Sequence, residues 1–145
     1  MKKRSHSSGS IDLSSLDRFR VAHLATANAH GKPLVVPICF ACGKSRIYSV
    51  MDEKPKRVAP SRLRRVRNIG ENPLVCLLAH HYSEDWSKLW YAIGDGAAEL
   101  LTQGPEHSRA IGLLRKKYPQ YRTMRIASKP VIKIVPQRLI AWKAV

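Results

Sequence analysis

The apolar residues of this chain come in short, closely spaced runs, and that spacing limits the fold more than any other feature. The longest runs, residues 34–41 and 74–79, have the length of buried strands. Neither approaches the roughly 18–20 residues that a membrane-crossing helix requires. Turn formers stand between the runs: Asn28 and Gly31 before the first, Gly43 after it, Gly70 and Pro73 before the second. At 145 residues the chain is one domain's worth. A domain of that size buries about 70% of its unfolded surface. With 44% hydrophobic residues it can fill a core without disulfides.

The elements follow in order. Ser14 or Ser15 caps a short helix over 16–20. Strands are expected over 21–27, 33–40 and 46–51, joined by turns at 28–31 and 41–44, which makes a β-meander. Ser61 is the expected cap of a helix ending near Gly70, with Leu63, Val66 and Ile69 on one face. Strands follow over 74–80 and 89–101, the second marked by Gly94 and Gly96 as the place of a bulge. Gly104 and Pro105 open a helix through about 117, and strands over 130–135 and 139–144 close the chain. Strands outnumber helices and most are joined by short turns. The expected fold is therefore mainly β (α+β), an antiparallel barrel with two or three peripheral helices. Residues 1–10 are expected to be a disordered basic leader, and 11–145 one domain.

Charge is the anomaly of the composition. Twenty-six Lys and Arg against ten Asp and Glu give +16. An excess of that size implies phosphate-rich partners: nucleic acid, an anionic membrane or a phosphorylated cofactor. The cations are clustered, with seven and no acid over 54–67, and ten and no acid over 107–145. Arg64 and Arg65 fall in the first turn of the expected helix, beside its unpaired N–H groups and positive dipole end. Cations are mildly unfavourable there unless an anion compensates them, so the pair marks a phosphate site.

Other chemistry finds little support. Cys39, Cys42 and Cys76 are odd in number and make no secreted disulfide framework, so a reducing cytoplasm is the expected setting. Cys39 and Cys42 have zinc-knuckle spacing, but Cys76 and His80 do not complete a finger pattern, and no metal site is expected. There is no Walker loop. Gly94 and Gly96 fail the dinucleotide fingerprint because Glu99 stands at its third glycine. The three tryptophans, Trp86, Trp90 and Trp142, are core or interface residues unless a planar ligand meets one of them.

The order of these segments resembles a known family. The stretches 20–38 (RVAHLATANAHGKPLVVPI), 48–57 (YSVMDEKPKR), 63–73 (LRRVRNIGENP), 84–90 (EDWSKLW) and 117–121 (KYPQY) are similar to pyridoxamine-phosphate-oxidase-like split β-barrel proteins. Within them, they look like the subgroup of oxidoreductases dependent on coenzyme F-420, a deazaflavin. The likeness covers residues 14–145.

The resemblance implies a homodimer with a flavin-type cofactor between subunits, F-420 or alternatively FMN; relatives of the fold also bind haem. Residues matching Val36, Pro37 and Ile38 would line the ring through backbone groups, and those matching Ser49 and Val50 would follow the ring and its side chain. Lys54, Lys56, Arg57, Arg64 and Arg65 would hold the phosphate, and Trp90 or Trp142 would approach the ring. One departure matters: pyridoxamine-phosphate oxidases carry an Arg-Gln pair where Trp90 and Tyr91 stand here, which speaks against pyridoxal-phosphate synthesis. The implied activity is hydride transfer between the cofactor and a small unsaturated substrate, with no catalytic acid or base assigned. Two other classes fit the charge: a nucleic-acid-binding protein, or a cofactor carrier without turnover.

Overall fold

The computed structural model describes residues 5–6, 12–52 and 63–144. Eight strands form one antiparallel sheet: β1 (Ser5–His6), β2 (Ala22–Ala27), β3 (Pro33–Ile38), β4 (Ala41–Cys42), β5 (Ile47–Val50), β6 (Leu74–His81), β7 (Trp90–Leu101) and β8 (Val131–Lys143). The helices are α1 (Arg64–Glu71) and α2 (Pro105–Lys117). The strand order is β3-β2-β6-β7-β8-β5-β4, with β1 pairing the far end of β8.

That order forces the sheet to curl. β3 and β4 stand at its two ends, yet only Cys39 and Phe40 separate them in sequence. Seven strands laid flat would hold their outer members about 29 Å apart at ~4.8 Å per strand. Three residue steps span at most about 11 Å. The two edges therefore meet at the Cys39–Phe40 corner, and the architecture is an antiparallel split β-barrel.

Inside it lies the main core, built from Leu24, Leu77, Ile47, Met51, Ile132 and Ile134 with Phe40 at the corner. α1 closes one side through Val66 and Ile69, as its spacing predicts. The buried Asn68 amide ties it to β2 by donating to Thr26 Oγ1 at 3.0 Å. The helix begins two residues later than expected, with Leu63 at its N-cap and no side-chain cap; Ser61 lies outside the described residues.

α2 packs against the outside of β5. Its buried positions His107, Ala110, Ile111 and Leu114 recur at helical spacing. Ala110, Ile111 and Leu114 meet Tyr48, Val50 and Val131 in a second core. All four residues of β5 are consequently buried, alternating between the barrel interior and α2.

Three expectations need correction. The turn expected over 41–44 begins with the two-residue strand β4, which pairs with Ile47 and Tyr48. The two C-terminal strands are one, because β8 runs through the Pro136–Arg138 stretch by bulging. Asp95 opposes Arg138 while Gly96 opposes Pro136, which leaves Gln137 as the extra residue on β8. The expected helix over 16–20 is a 3-10 turn, Leu16–Arg18.

Candidate functional site

Where the split closes, four segments surround a cavity of about 520 Å³. Arg20 and Val21 enter from the start of β2, Cys39 from the corner, Asp52 from just beyond β5, and Tyr118 to Met124 from the segment after α2. The last segment is shaped by Pro119, which opens a 3-10 turn directly after α2 and turns Tyr121 inward, to 4% exposure.

The tyrosines do different work. The Tyr118 hydroxyl lies 3.0 Å from the Phe40 amide, which donates to it, and 2.8 Å from the Arg20 carbonyl, which accepts its proton. It therefore clamps the corner to the start of β2. Burial pushes its pKa up to about 12. The Tyr121 hydroxyl donates to Asp52 Oδ2 at 2.9 Å. Burial first, then the neighbouring Cys39 and Asp52, raise its pKa, so it stays a neutral donor. Lys117 reinforces the clamp: its ammonium lies 3.2 Å from Asp17 Oδ1 and 3.9 Å from the centre of the Phe40 ring.

Arg65 belongs to the same group. Burial lowers its pKa, while Asp52 and Tyr121 act on it in the opposite direction. Its Nε is buried and has no hydrogen-bond partner among the described residues. Arginine remains charged in proteins, so a buried unsatisfied N–H here is a standing cost of about 1–3 kcal/mol, or more for a charged donor. No acid occupies the first turn of α1, so the helix end adds positive character of its own. An anion would satisfy both.

The other expected site residues fall as follows. Arg64 is exposed beside Arg65. Lys54, Lys56 and Arg57 lie outside the described residues. Val36 packs against the main core, Ile38 is buried in it, and Pro37 faces outward. Among the described residues β3 pairs with β2 alone, so backbone groups along its other edge are outside any strand ladder. Ser49 and Val50 are both 4% exposed. The Ser49 hydroxyl donates to the Cys39 carbonyl at 2.8 Å and Val50 lies under α2, so their side chains are already engaged.

Trp90 and Trp142 are on neighbouring strands but on opposite faces, because Trp142 is registered with Tyr91. Trp90 packs on Phe19 at 4.3 Å beneath Arg18, and Trp142 stacks on Tyr91 at 5.4 Å. Neither lines the cavity.

The cysteines are unpaired with one another. Burial, then Asp17, pushes the Cys42 thiol up to about 12, which suits a packing role rather than a nucleophile or ligand. Among the described residues, no three His, Cys, Asp or Glu side chains converge as metal ligands.

Tyr118, Tyr121, Asp52 and Arg20 were given no role by the sequence reading. The available signal was the Tyr118-Pro119-x-Tyr121 spacing directly after a helix, which fixes two rings about one proline.

The profile of the family described as Pyridoxamine 5'-phosphate oxidase matches residues 14–143. No curated protein matches the sequence. Among solved structures, a FAD-binding protein of Mesorhizobium loti superposes with a TM-score of 0.70 at 19% identity, covering 98% of this chain and 99% of its own. A conserved hypothetical protein of Mycobacterium tuberculosis gives 0.71 at 17% identity, covering 88% and 79%. The haem storage protein HutZ of Vibrio cholerae gives 0.65 at 17% identity, covering 89% and 94%. At such identities the likeness is one of fold.

Proposed function

Because the chain belongs to the pyridoxamine 5'-phosphate oxidase family, we propose that it is an oxidoreductase that binds a flavin-type cofactor, coenzyme F-420 first and FMN as the alternative. The observation that carries the reading is the buried Nε of Arg65 at the start of α1, which has no hydrogen-bond partner among the described residues and fits a cofactor phosphate. Arg64 stands beside it as a second phosphate contact. The edge of β3 at Val36 to Ile38 supplies backbone groups for the ring, with Tyr121 and Asp52 closing the neighbouring cavity. When bound, such a cofactor supplies hydride transfer to a small unsaturated substrate. The protein's part is to orient both partners and to exclude water. The charge of +16 favours F-420, whose acidic tail suits a basic surface.

A second copy of the chain completes the reading. A cross-strand row on the outer face of the sheet runs Pro37, His23, Leu78, Ile93 and Ile140. Val35 and Leu74 beside it are 60% and 62% exposed. An apolar face of this breadth supports burial against an identical face across a two-fold axis.

The test is a fluorescence titration of the purified protein with F-420 and FMN at two salt concentrations. The expected result is micromolar or tighter binding of F-420, and at least tenfold weaker binding by Arg65→Ala. That factor corresponds to about 1.4 kcal/mol, close to the lower end of what one charge-assisted hydrogen bond contributes. Tight FMN binding alone moves the chemistry to ordinary flavin oxidation and reduction. Unchanged affinity in Arg65→Ala removes the phosphate assignment, and binding of neither cofactor turns the question to haem.

A further inference from the structure

A second concavity, about 690 Å³, lies between the turn joining β4 to β5 and the outer face of α2. It shares no lining residue with the cavity at the corner. Its composition is unusual in one respect. Lys44, Arg46, Arg109 and Lys116 line it together with Lys133 and Glu106, and that one lining acid is already paired with Lys133. Lys133 Nζ sits 2.6 Å from Glu106 Oε1 and 3.3 Å from Glu99 Oε1. Among the described residues, the other four cations around the groove form no ion pair with an acid. The nearest structural commitment among the four is Arg46, whose guanidinium donates to the Ser45 carbonyl at 2.8 Å and so is held at the lip.

The arrangement has a direction. Arg109 and Lys116 are seven positions apart on α2, two turns or about 10.5 Å along its axis. Between them Gly112 has open space where a side chain would stand, so the helix presents a notch flanked by two cations. Lys44 and Arg46 face that notch from the turn. Lys44, Arg109 and Lys116 are exposed on flexible stems. Such a rim attracts charge along a line and does not enclose a compact anion. No exposed ring lines it, since Tyr48 is 6% exposed, so it offers no platform for stacking bases.

We propose that this groove binds the phosphate backbone of duplex nucleic acid without reading its sequence. The proposal is independent of the cofactor reading, because the two sites share no residue. Neutralising four phosphates gives a steep salt dependence: affinity falls by about a hundredfold between 50 and 200 mM salt.

The experiment measures anisotropy of a fluorescein-labelled 20-base-pair duplex with the full-length protein across that salt range. Arg109→Glu with Lys116→Glu should lower the slope of log affinity against log salt by about two, leaving about a tenfold loss over the same range. Lys88→Glu with Lys143→Glu, which makes the same change in net charge away from the groove, should leave the slope near that of the parent. Equal slopes in the two double variants would overturn the proposal, because binding would then follow net charge alone. Absence of duplex binding at 50 mM salt would also overturn it, as would binding of ADP or of phosphatidylserine vesicles in its place. Should the reversal fail to fold by thermal unfolding, Arg109→Gln with Lys116→Gln makes the same prediction for the slope.

Discussion

Gly96→Ala lowers the unfolding free energy by about 3 kcal/mol or more, the upper end of what overpacking a filled site costs. For a chain of this length that is a fall of about 10 °C in melting temperature. The reason lies in the bulge. Where β8 carries Gln137 as an extra residue, its backbone swings toward β7. A Cβ on Gly96 would overlap the Val135 carbonyl oxygen and come 2.9 Å from Pro136 Cα. Both obstacles are backbone, so neither can turn away as a side chain would. Gly94, two residues earlier on the same face, is the control. A Cβ there meets Leu139 Cδ1 at 3.6 Å, which is ordinary contact, and Gly94→Ala should cost less than about 1 kcal/mol. Urea unfolding of both variants checks the pair. Equal stabilities would mean that the register across Asp95 and Gly96 is wrong.

Tyr118→Phe is expected to cost about 2 kcal/mol. The hydroxyl is the partner of the Phe40 amide, and Phe40 is wholly buried, so the variant strands a backbone donor away from water. Its pH dependence identifies the mechanism. In the unfolded chain a tyrosine ionises near 10. In the folded chain burial holds Tyr118 neutral up to about 12. Its folded pKa is raised, so the stability contributed by the neutral hydroxyl is complete below pH 10 and drains away between 10 and about 12. The stability gap between parent and Tyr118→Phe should therefore narrow as pH rises through that window. A gap that stays constant to pH 12 would assign the cost to packing and not to the hydroxyl.

Local signals were legible in the sequence and distant pairings were not. Gly104 and Pro105 marked the start of α2 to the residue, because glycine at φ +99 and proline at the first helical position are requirements of local backbone geometry. Gly94 and Gly96 likewise marked the place where the β7–β8 register shifts. The stretch between 135 and 139 was expected to separate two strands, and it holds Pro136, which cannot donate to a ladder. The bulge accommodates that missing donor without ending the strand, and the accommodation is visible only once β7 is alongside.

The candidate site divides in the same way. Arg64 and Arg65 stood out in the sequence because their oddity is local: two cations at a helix start. The Tyr121–Asp52 and Tyr118–Phe40 bonds join residues 69 and 78 positions apart, and no local pattern encodes such a pairing. Trp90 and Trp142 stood out by residue type alone. The pleat, which sends them to opposite faces, follows from a register that the sequence does not display.

The strand order also dictates when this chain can fold as it is synthesised. β4 and β5 join the remaining strands only through β8, and β5 pairs with Val131 to Ile134. Until the ribosome has made those residues, the hairpin has no place in the sheet. The four residues of β5, buried on both sides in the finished protein, stay open to water or to a neighbouring nascent chain. Closing a loop of more than eighty residues comes before any reward from the contacts it enables, so barrel closure is a late, slow event. A chain cut short before Val131 loses far more than its final strand: it keeps β2, β3, β6 and β7 as an open sheet and leaves a sticky hairpin beside them.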